Sequence, residues 1–237
     1  MSEFAIAFDV DSLEQALELD RRLGQGPEYA KVGLQLFTAA GPDAVRGLLA
    51  RGRRVFLDLK LHDIPNTVEH AAAEAAKLGC EMLTVHALGG QDMIRAAVEG
   101  ASRGDKGTRV VAVTLLTSQD PERLPPGFAR PFALHRVLAE QLEMAELAGA
   151  SGIVCSAADL PGIRAHHPMP FLAVTPGIRP AHMGHDDQRR VTTVADAVRL
   201  GAGILVLGRA VTAAPDPAAA LAHARVEAHG AATAARP

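Results

Sequence analysis

Short apolar runs recur along the chain and alternate with longer segments in which apolar residues follow helical spacing. The eight runs cover residues 4–8, 31–36, 55–61, 82–86, 110–116, 152–155, 171–174 and 204–207. Each run has the length of a buried strand, and helices are predicted to start near Ser12, Pro42, Thr67 and Asp92, which are residue types favoured at helix N-termini. The pattern therefore predicts strands and helices in regular alternation.

Eight strand–helix units in 237 residues predict an α/β fold, a (β/α)8 TIM barrel forming a single domain over residues 1–229. An open, doubly wound sheet is the alternative. That fold is disfavoured because Asp9-Val10-Asp11-Ser12 follows the first run, where a nucleotide-binding sheet would carry G-x-G-x-x-G. The Ala-rich end from Ala213 predicts a last helix, and residues 230–237 are expected to fray.

Composition excludes several classes of partner. The 24 Lys and Arg residues against 27 Asp and Glu give a net charge of −3, and aromatic residues make up only 3% of the chain, so nucleic-acid binding is not expected. No apolar stretch is long enough to cross a membrane and no secretory signal is visible, which predicts a cytoplasmic protein without membrane contact. Cys80 and Cys155 are expected to be buried free thiols.

The third run carries charges where a barrel strand is normally apolar. Two-residue alternation directs the odd-numbered positions of residues 55–61 towards the helices, and it directs Phe56, Asp58 and Lys60 towards the barrel axis. Removing such charges from water costs several kcal/mol unless partners compensate. Asp63 follows at the C-terminal end of the strand, where barrel enzymes place their chemistry.

Two other runs add charges to the same end of the predicted barrel. Alternation in the second run directs Lys31, Gly33 and Gln35 inward, and Asp9 follows the first run on its inward face. The predicted cluster of alternating charge is Asp9, Lys31, Asp58, Lys60 and Asp63. Such a cluster is either a salt-bridge network that fills the barrel mouth or a catalytic group, and the spacing D-x-K-x-x-D after an apolar strand favours catalysis.

The segment Asp-Leu-Lys-Leu-His-Asp-Ile-Pro-Asn-Thr, residues 58–67, resembles the signature of the orotidine 5′-phosphate decarboxylase family in its short bacterial form. Related sugar-phosphate decarboxylases and hexulose-phosphate synthases share D-x-K-x-x-D, whereas Ile-Pro-Asn-Thr makes the resemblance more specific. Further similar segments follow the family's order over nearly the whole chain. They are Asp9, Lys31 in Lys-Val-Gly, residues 86–90, 116–118, 175–179 and 187–190, and Gly208-Arg209.

The resemblance implies conversion of orotidine 5′-phosphate to uridine 5′-phosphate (UMP) and CO2, the last step of de novo UMP synthesis, with no metal or organic cofactor. It also implies a homodimer with shared active sites, in which Lys31, Asp58 and Lys60 of one subunit act with Asp63 of the partner. The implied substrate-binding residues are Asp9, Lys31, Thr67, Thr117, Arg179, Gln188, Gly208 and Arg209.

Charge predicts the role of Lys60. Loss of CO2 leaves an in-plane carbanion at C6 of the pyrimidine, and an adjacent ammonium group stabilises that charge and then delivers a proton. A Schiff-base lysine is the alternative, but the neighbouring carboxylates favour the charged amine. At the other end of the substrate, Gly208 and Arg209 follow the eighth run and Arg179 follows the seventh, where barrels often bind phosphate.

Two rival functions stay open at this point. One is a magnesium-dependent sugar-phosphate decarboxylase or synthase that shares the motif, and the other is a non-catalytic barrel that binds a phosphate ligand. His182 and His185 have a spacing compatible with metal binding, but no third ligand lies nearby in the sequence, so no metal site is predicted.

Overall fold

The computed structural model of the protein describes residues 2–104, 107–116, 133–167, 171–179 and 192–234. Its strands are β1 (Glu3–Ala7), β2 (Tyr29–Gly33), β3 (Arg54–Leu61), β4 (Met82–His86), β5 (Arg109–Val113), β6 (Gly152–Val154), β7 (Leu172–Thr175), β8 (Ile178–Arg179), β9 (Thr192–Thr193) and β10 (Ile204–Leu207). Its α-helices are α1 (Leu13–Leu23), α2 (Leu34–Ala40), α3 (Pro42–Ala50), α4 (Pro65–Lys77), α5 (Gly90–Ala101), α6 (Leu134–Leu147), α7 (Leu160–His166), α8 (Val194–Arg199), α9 (Arg209–Thr212) and α10 (Pro217–Ala234).

Parallel pairing closes eight of the described strands into a barrel. The order around the barrel is β1, β2, β3, β4, β5, β6, β7 and β10, and β1 pairs with both β2 and β10. The short strands β8 and β9 form a separate parallel pair in the connection between β7 and β10. The predicted (β/α)8 TIM barrel is confirmed, since each of the eight predicted runs overlaps one barrel strand.

Two apolar layers position the site. Outside the barrel, alternate strand residues such as Phe4 and Ile6 pack against the helices, as the alternation predicts. Inside it, the apolar layer consists of Ala5, Tyr29, Phe56, Met82, Val111, Val174 and Ile204. Because Lys31 and Asp58 stand two residues after Tyr29 and Phe56, they occupy the next inward level towards the C-terminal ends of the strands.

The second strand is shorter than predicted. It ends at Gly33, and α2 begins at Leu34, so the prediction that Gln35 lies on the strand is wrong. The segment Leu34–Ala40 is composed mainly of good helix formers, and its Leu36 is buried while Leu34 is 57% exposed. Gln35 nevertheless lines the barrel mouth, from the first turn of the helix.

Several helix boundaries also differ from the prediction. Helices α4 and α5 begin at Pro65 and Gly90, ahead of the predicted Thr67 and Asp92, and proline suits a first helical position because it has no N–H to leave unpaired. Helix α10 continues to Ala234, past residue 230, from which the tail is predicted to fray. Alanine has the highest helix propensity, and a buried Ala231 ties down this last turn. Residues 235–237 lie outside the described residues.

Candidate active site

The C-terminal ends of the barrel strands surround a cavity of about 500 Å³, a volume within the usual range for small-molecule sites. Its apolar lining includes Phe56, Val174 and Val206. The predicted site residues that line it are Asp9, Lys31, Asp58, Lys60, Arg179, Gly208 and Arg209. The fold thus brings most of the predicted site residues to one cavity.

Four of these side chains form a continuous chain of alternating charge. Lys31 Nζ lies 3.2 Å from Asp9 Oδ1 and 3.5 Å from Asp58 Oδ2, and Lys60 Nζ lies 2.8 Å from Asp58 Oδ1. Asp58 therefore stands between the two ammonium groups. Lys31 is buried, whereas about half of the Asp9 side chain and a third of the Lys60 side chain remain exposed to the cavity.

Gly33 leaves the space in which the first ion pair forms. A Cβ atom at this position would lie 2.9 Å from Asp9 Oδ1 and 3.0 Å from Lys31 Nζ. Both distances are too short for an unperturbed contact, so a side chain here would displace the pair. The inward direction predicted for Gly33 is confirmed.

Strand β3 is distorted where it carries Asp58 and Lys60. The register with β4 pairs Leu57 with Leu83 and then Leu61 with Val85, so four steps along β3 match two steps along β4. Lys60 lies within this irregular stretch and has φ of 51°, in the left-handed region that non-glycine residues rarely adopt. Irregularities of this kind redirect side chains and are common next to active sites.

Opposing effects act on the ionisation of Asp58. Burial raises the pKa of its carboxyl group, but Lys31 and Lys60, together with hydrogen bonds from Lys60 and Thr84, outweigh burial and hold that pKa below its ordinary value. Asp58 is therefore a carboxylate at neutral pH.

Two histidines stack beside this cluster. The rings of His62 and His86 have their centroids 5.5 Å apart with an angle of 25° between planes. Burial, followed by the nearby charges of His62 and Lys60, lowers the pKa of His86. A neutral His86 imidazole suits the structure, because its Nδ1 accepts a hydrogen bond of 3.3 Å from the backbone N–H of Leu88.

Two predicted site residues do not join the cavity within one chain. Asp63 is exposed, and its Oδ1 accepts a hydrogen bond of 2.7 Å from the backbone N–H of Ile64. Thr67 is exposed in the first turn of α4. Neither residue is among those that line the cavity.

The opposite rim of the cavity carries two arginines. Arg179 lies in β8, directly after the loop that follows β7, and Arg209 follows β10 at the start of α9. A Cβ atom added to Gly208 would meet nothing within 4 Å, so the backbone there faces open space at the cavity wall. Guanidinium groups and an accessible backbone N–H are suitable donors for a phosphate group.

Part of the predicted site lies beyond what the structure describes. Thr117 and Gln188 fall outside the described residues, as do His182 and His185. Among the residues that are described, no group of three or more His, Cys, Asp or Glu side chains is arranged to hold a metal ion. The same residues include no helix that is long and apolar enough to cross a membrane.

A protein-family model described as "Orotidine 5′-phosphate decarboxylase / HUMPS family" matches residues 2–224. The chain belongs to this family. Orotidine 5′-phosphate decarboxylase of Anaeromyxobacter dehalogenans is 49% identical over 215 residues, which cover 90% of this chain and 92% of that protein. The protein of the same name from Nitrosococcus oceani is 46% identical over 220 residues, with coverage of 93% and 94%.

A solved structure agrees with this assignment to the orotidine 5′-phosphate decarboxylase / HUMPS family. The crystal structure of orotidine 5′-phosphate decarboxylase from Lactobacillus acidophilus superposes with a TM-score of 0.85 at 36% identity. The superposition covers 96% of this chain and 99% of the other. The barrel and its order of strands are therefore shared with a member of the family.

Thr84 lies beside the charged cluster, although we did not single it out from the sequence. It is fully buried in β4, where its hydroxyl contacts both Asp58 and Lys60. Alternation in Met82–His86 already places Met82, Thr84 and His86 on one face, opposite the apolar Leu83 and Val85. A polar residue on the inward face of a strand next to β3 was the available signal.

Proposed function

We propose that the chain catalyses decarboxylation of orotidine 5′-phosphate to UMP and CO2, closing de novo UMP synthesis, with no metal or organic cofactor. The observation that carries the proposal is the ion-paired chain from Asp9 through Lys31 and Asp58 to Lys60, which opens onto a cavity of suitable size. Membership of the family supports the same substrate.

Lys60 is the group that acts on the reacting carbon. When the bond from C6 to the carboxylate breaks, its electron pair stays on C6 in an orbital within the ring plane, where the ring carbonyls cannot delocalise it. The Lys60 ammonium stabilises this charge as it develops, and one of its protons then passes to C6 to give the C6–H bond of UMP. CO2 leaves, and the neutral amine regains a proton from solvent.

Asp58 keeps Lys60 ready for this step. At 2.8 Å from Lys60 Nζ, its carboxylate fixes the position of the ammonium group that donates the proton. Lys31 is buried on the other side of Asp58, where its ammonium group forms ion pairs with both Asp58 and Asp9. Pre-organised charges of this kind cost no reorganisation during the reaction.

Arg179, Gly208 and Arg209 are proposed to bind the 5′-phosphate. They line the cavity together, and the phosphate is remote from C6. Contacts with this remote group can hold the substrate so that its reacting carbon lies next to Lys60. Asp9, which is half exposed to the cavity, is available to accept a hydrogen bond from the substrate. Substrate contacts by Thr117 and Gln188 stay predictions.

The site is proposed to be completed in a homodimer. Asp63 and Thr67 are exposed after β3, and they are accompanied by three large exposed apolar side chains: Leu34 at 57%, Ile64 at 65% and Leu88 at 44%. These side chains follow β2, β3 and β4, which are neighbours in the barrel, so they share one sector of its C-terminal end. A second copy that covers this sector would carry its Asp63 and Thr67 towards the first cavity.

An ultraviolet assay in metal-free buffer tests the proposal directly. Loss of orotidine 5′-phosphate is followed with and without excess chelator, and turnover is expected to be the same in both. A requirement for added Mg²⁺ would favour the sugar-phosphate enzymes that share the motif, and binding of UMP without turnover would favour a non-catalytic barrel. The cytoplasmic location stays a prediction from the sequence.

A further inference from the structure

We propose that Thr84 is a positioning residue for this reaction, because its hydroxyl holds both the backbone of Lys60 and the carboxylate of Asp58. The inference rests on the proposed decarboxylation. Thr84 is absent from the lining of the cavity, so it acts on the substrate only through these two neighbours.

The Thr84 hydroxyl bridges the irregular part of the β3–β4 pair. Regular pairing of β3 with β4 stops after Leu57 and resumes at Leu61, and Thr84 is the β4 residue between the two registers. At this gap the backbone N–H of Lys60 donates to Thr84 Oγ1 at 2.8 Å. A side-chain oxygen thus satisfies the Lys60 N–H where the regular pairing is interrupted.

This contact helps to hold Lys60 in an unfavourable conformation. A φ of 51° is strained for a residue with a Cβ atom, and such strain persists only where the surroundings enforce it. A regular strand would give Lys60 an extended φ and change the direction in which its side chain leaves the strand. The Thr84 contact therefore helps to set the position of the Lys60 ammonium group.

The same hydroxyl also orders the carboxylate. Thr84 Oγ1 donates to Asp58 Oδ1 at 3.0 Å, and this oxygen also accepts from Lys60 Nζ at 2.8 Å. A hydroxyl has one donor and two acceptor positions, so both contacts can be made at once. Thr84 is fully buried and its β-branched side chain has few rotamers, which fixes the oxygen in place.

Thr84→Val keeps the shape and removes both hydrogen bonds. We expect kcat to fall by roughly 10- to 100-fold, because a displacement of about 1 Å in a catalytic group can cost that much. KM for orotidine 5′-phosphate and the affinity for UMP are expected to change by less than about 3-fold, since the phosphate-binding residues lie elsewhere on the rim. The kcat is calculated per folded molecule, because a loss of folded protein alone would also lower the apparent kcat and leave KM unchanged.

Two further variants separate positioning from packing. Thr84→Ser keeps the hydroxyl and is expected to retain kcat within about 5-fold of the wild type. Thr108→Val is the matched control, because Thr108 is also buried and its hydroxyl donates to the Cys80 carbonyl at 2.7 Å, at the start of β5 and away from the cavity. It is expected to lower the melting temperature while leaving kcat unchanged.

All four proteins are assayed together for kcat, KM, UMP affinity and thermal unfolding. The inference is overturned if folded Thr84→Val turns over at the wild-type rate, or if Thr108→Val loses as much kcat as Thr84→Val. Should Thr84→Val fail to fold, Thr84→Ser decides, since a serine variant with a 10-fold or larger loss of kcat would contradict the role of the hydroxyl. An inactive wild type would overturn the proposed function and this inference with it.

Discussion

The two ends of the barrel both carry clusters of opposite charges, but they are built differently. At the N-terminal end, Arg54 binds Glu81 through two contacts of 2.6 and 2.7 Å and Glu3 through one of 2.7 Å. The Tyr29 hydroxyl accepts hydrogen bonds from both Arg54 and Arg109 at this end of the barrel interior. At the C-terminal end, lysines pair with aspartates around an open cavity.

The chemistry of the cations explains the difference. The planar guanidinium groups of Arg54 and Arg109 make several fixed contacts and do not release protons. Burial raises the pKa of Tyr29 to about 12, and hydrogen bonds to Glu81 raise the pKa of Arg54, so neither group transfers a proton at neutral pH. An ammonium group such as that of Lys60 is a compact charge that can donate a proton.

A charged cluster inside a barrel is therefore not enough to identify an active site. The N-terminal cluster has both signs of charge and strong hydrogen bonds, yet its arginines donate to acceptors within the cluster itself. The C-terminal cluster combines an ammonium group, the Asp58 carboxylate paired with it and space for a ligand. This contrast predicts that substitutions at the two ends separate activity from stability.

The largest effect is expected for Lys60→Ala. Loss of both the ammonium charge and the proton donor should lower kcat by at least about 10⁴-fold. UMP affinity should change by less than about 10-fold, because Lys60 acts chiefly on the developing carbanion. Turnover assays and equilibrium binding measure the two quantities, with Lys77→Ala, at an exposed lysine paired with Glu74, as the control. Equal losses in both quantities would contradict the role given to Lys60.

A nearly as large effect is expected when two inactive variants are mixed. In the proposed shared site, Asp63→Ala and Lys60→Ala homodimers each lack complete sites, but a hybrid dimer contains one site with both residues intact. After random exchange in an equal mixture, about a quarter of all sites should be complete, and activity should recover to about that fraction of the wild type. No recovery after exchange has been demonstrated by mass spectrometry would count against a shared site.

Arg54→Ala tests the other end of the barrel. It should lower the free energy of unfolding by about 1–2 kcal/mol, because Glu81 and Glu3 lose hydrogen-bond donors. The kcat per folded molecule should stay within about 2-fold of the wild type, since no cavity residue is touched. Denaturant titration and turnover assays measure these changes, and Arg136→Ala, at an exposed pair with Glu140, is the milder control. A large loss of kcat in Arg54→Ala would remove the distinction between the two ends.

The smallest effect concerns stability at acidic pH. Despite burial, the lysines around Asp58 lower its pKa, and the hydrogen bond from Arg54 lowers the pKa of Glu81. A carboxylate with a lowered folded-state pKa adds stability that is present above its unfolded pKa and is lost as pH falls through the folded one. The destabilisation caused by Asp58→Asn and by Glu81→Gln should therefore shrink below about pH 4.

Urea titrations between about pH 3 and pH 7 check this prediction. The two variants should behave alike in stability but differ in turnover at neutral pH, where only Asp58→Asn is impaired. A destabilisation that does not change with pH would show that packing, and not charge, dominates at that position.

Hydrophobic periodicity was sufficient to predict the barrel, because its strands are mainly apolar on both faces between the charged clusters at the two ends. Boundaries were less accurate where local preference and tertiary structure compete. Gln35 was placed on a strand because alternation continued past Gly33, although the following residues form α2. In α10, alanine-rich sequence and burial of Ala231 extend the helix beyond the predicted end.

The charged cluster was predicted from alternation alone, but its detailed geometry was not. Alternation gives the face of Lys60 but not its φ of 51° or the break in register between β3 and β4. The contribution of Thr84 depends on that break, so it became evident only in three dimensions. The role proposed for Asp63 requires a second chain, which no pattern within one chain reveals.

Exchange of the C6 proton of UMP tests the central claim most directly, since it is the proton-transfer step run backwards. UMP is incubated in deuterium oxide with each protein, and the C6–H signal is followed by proton nuclear magnetic resonance. The wild type and Arg54→Ala are expected to replace this proton with deuterium, whereas Lys60→Ala is expected to leave it in place. Exchange by Lys60→Ala at the wild-type rate would show that another group serves the carbanion.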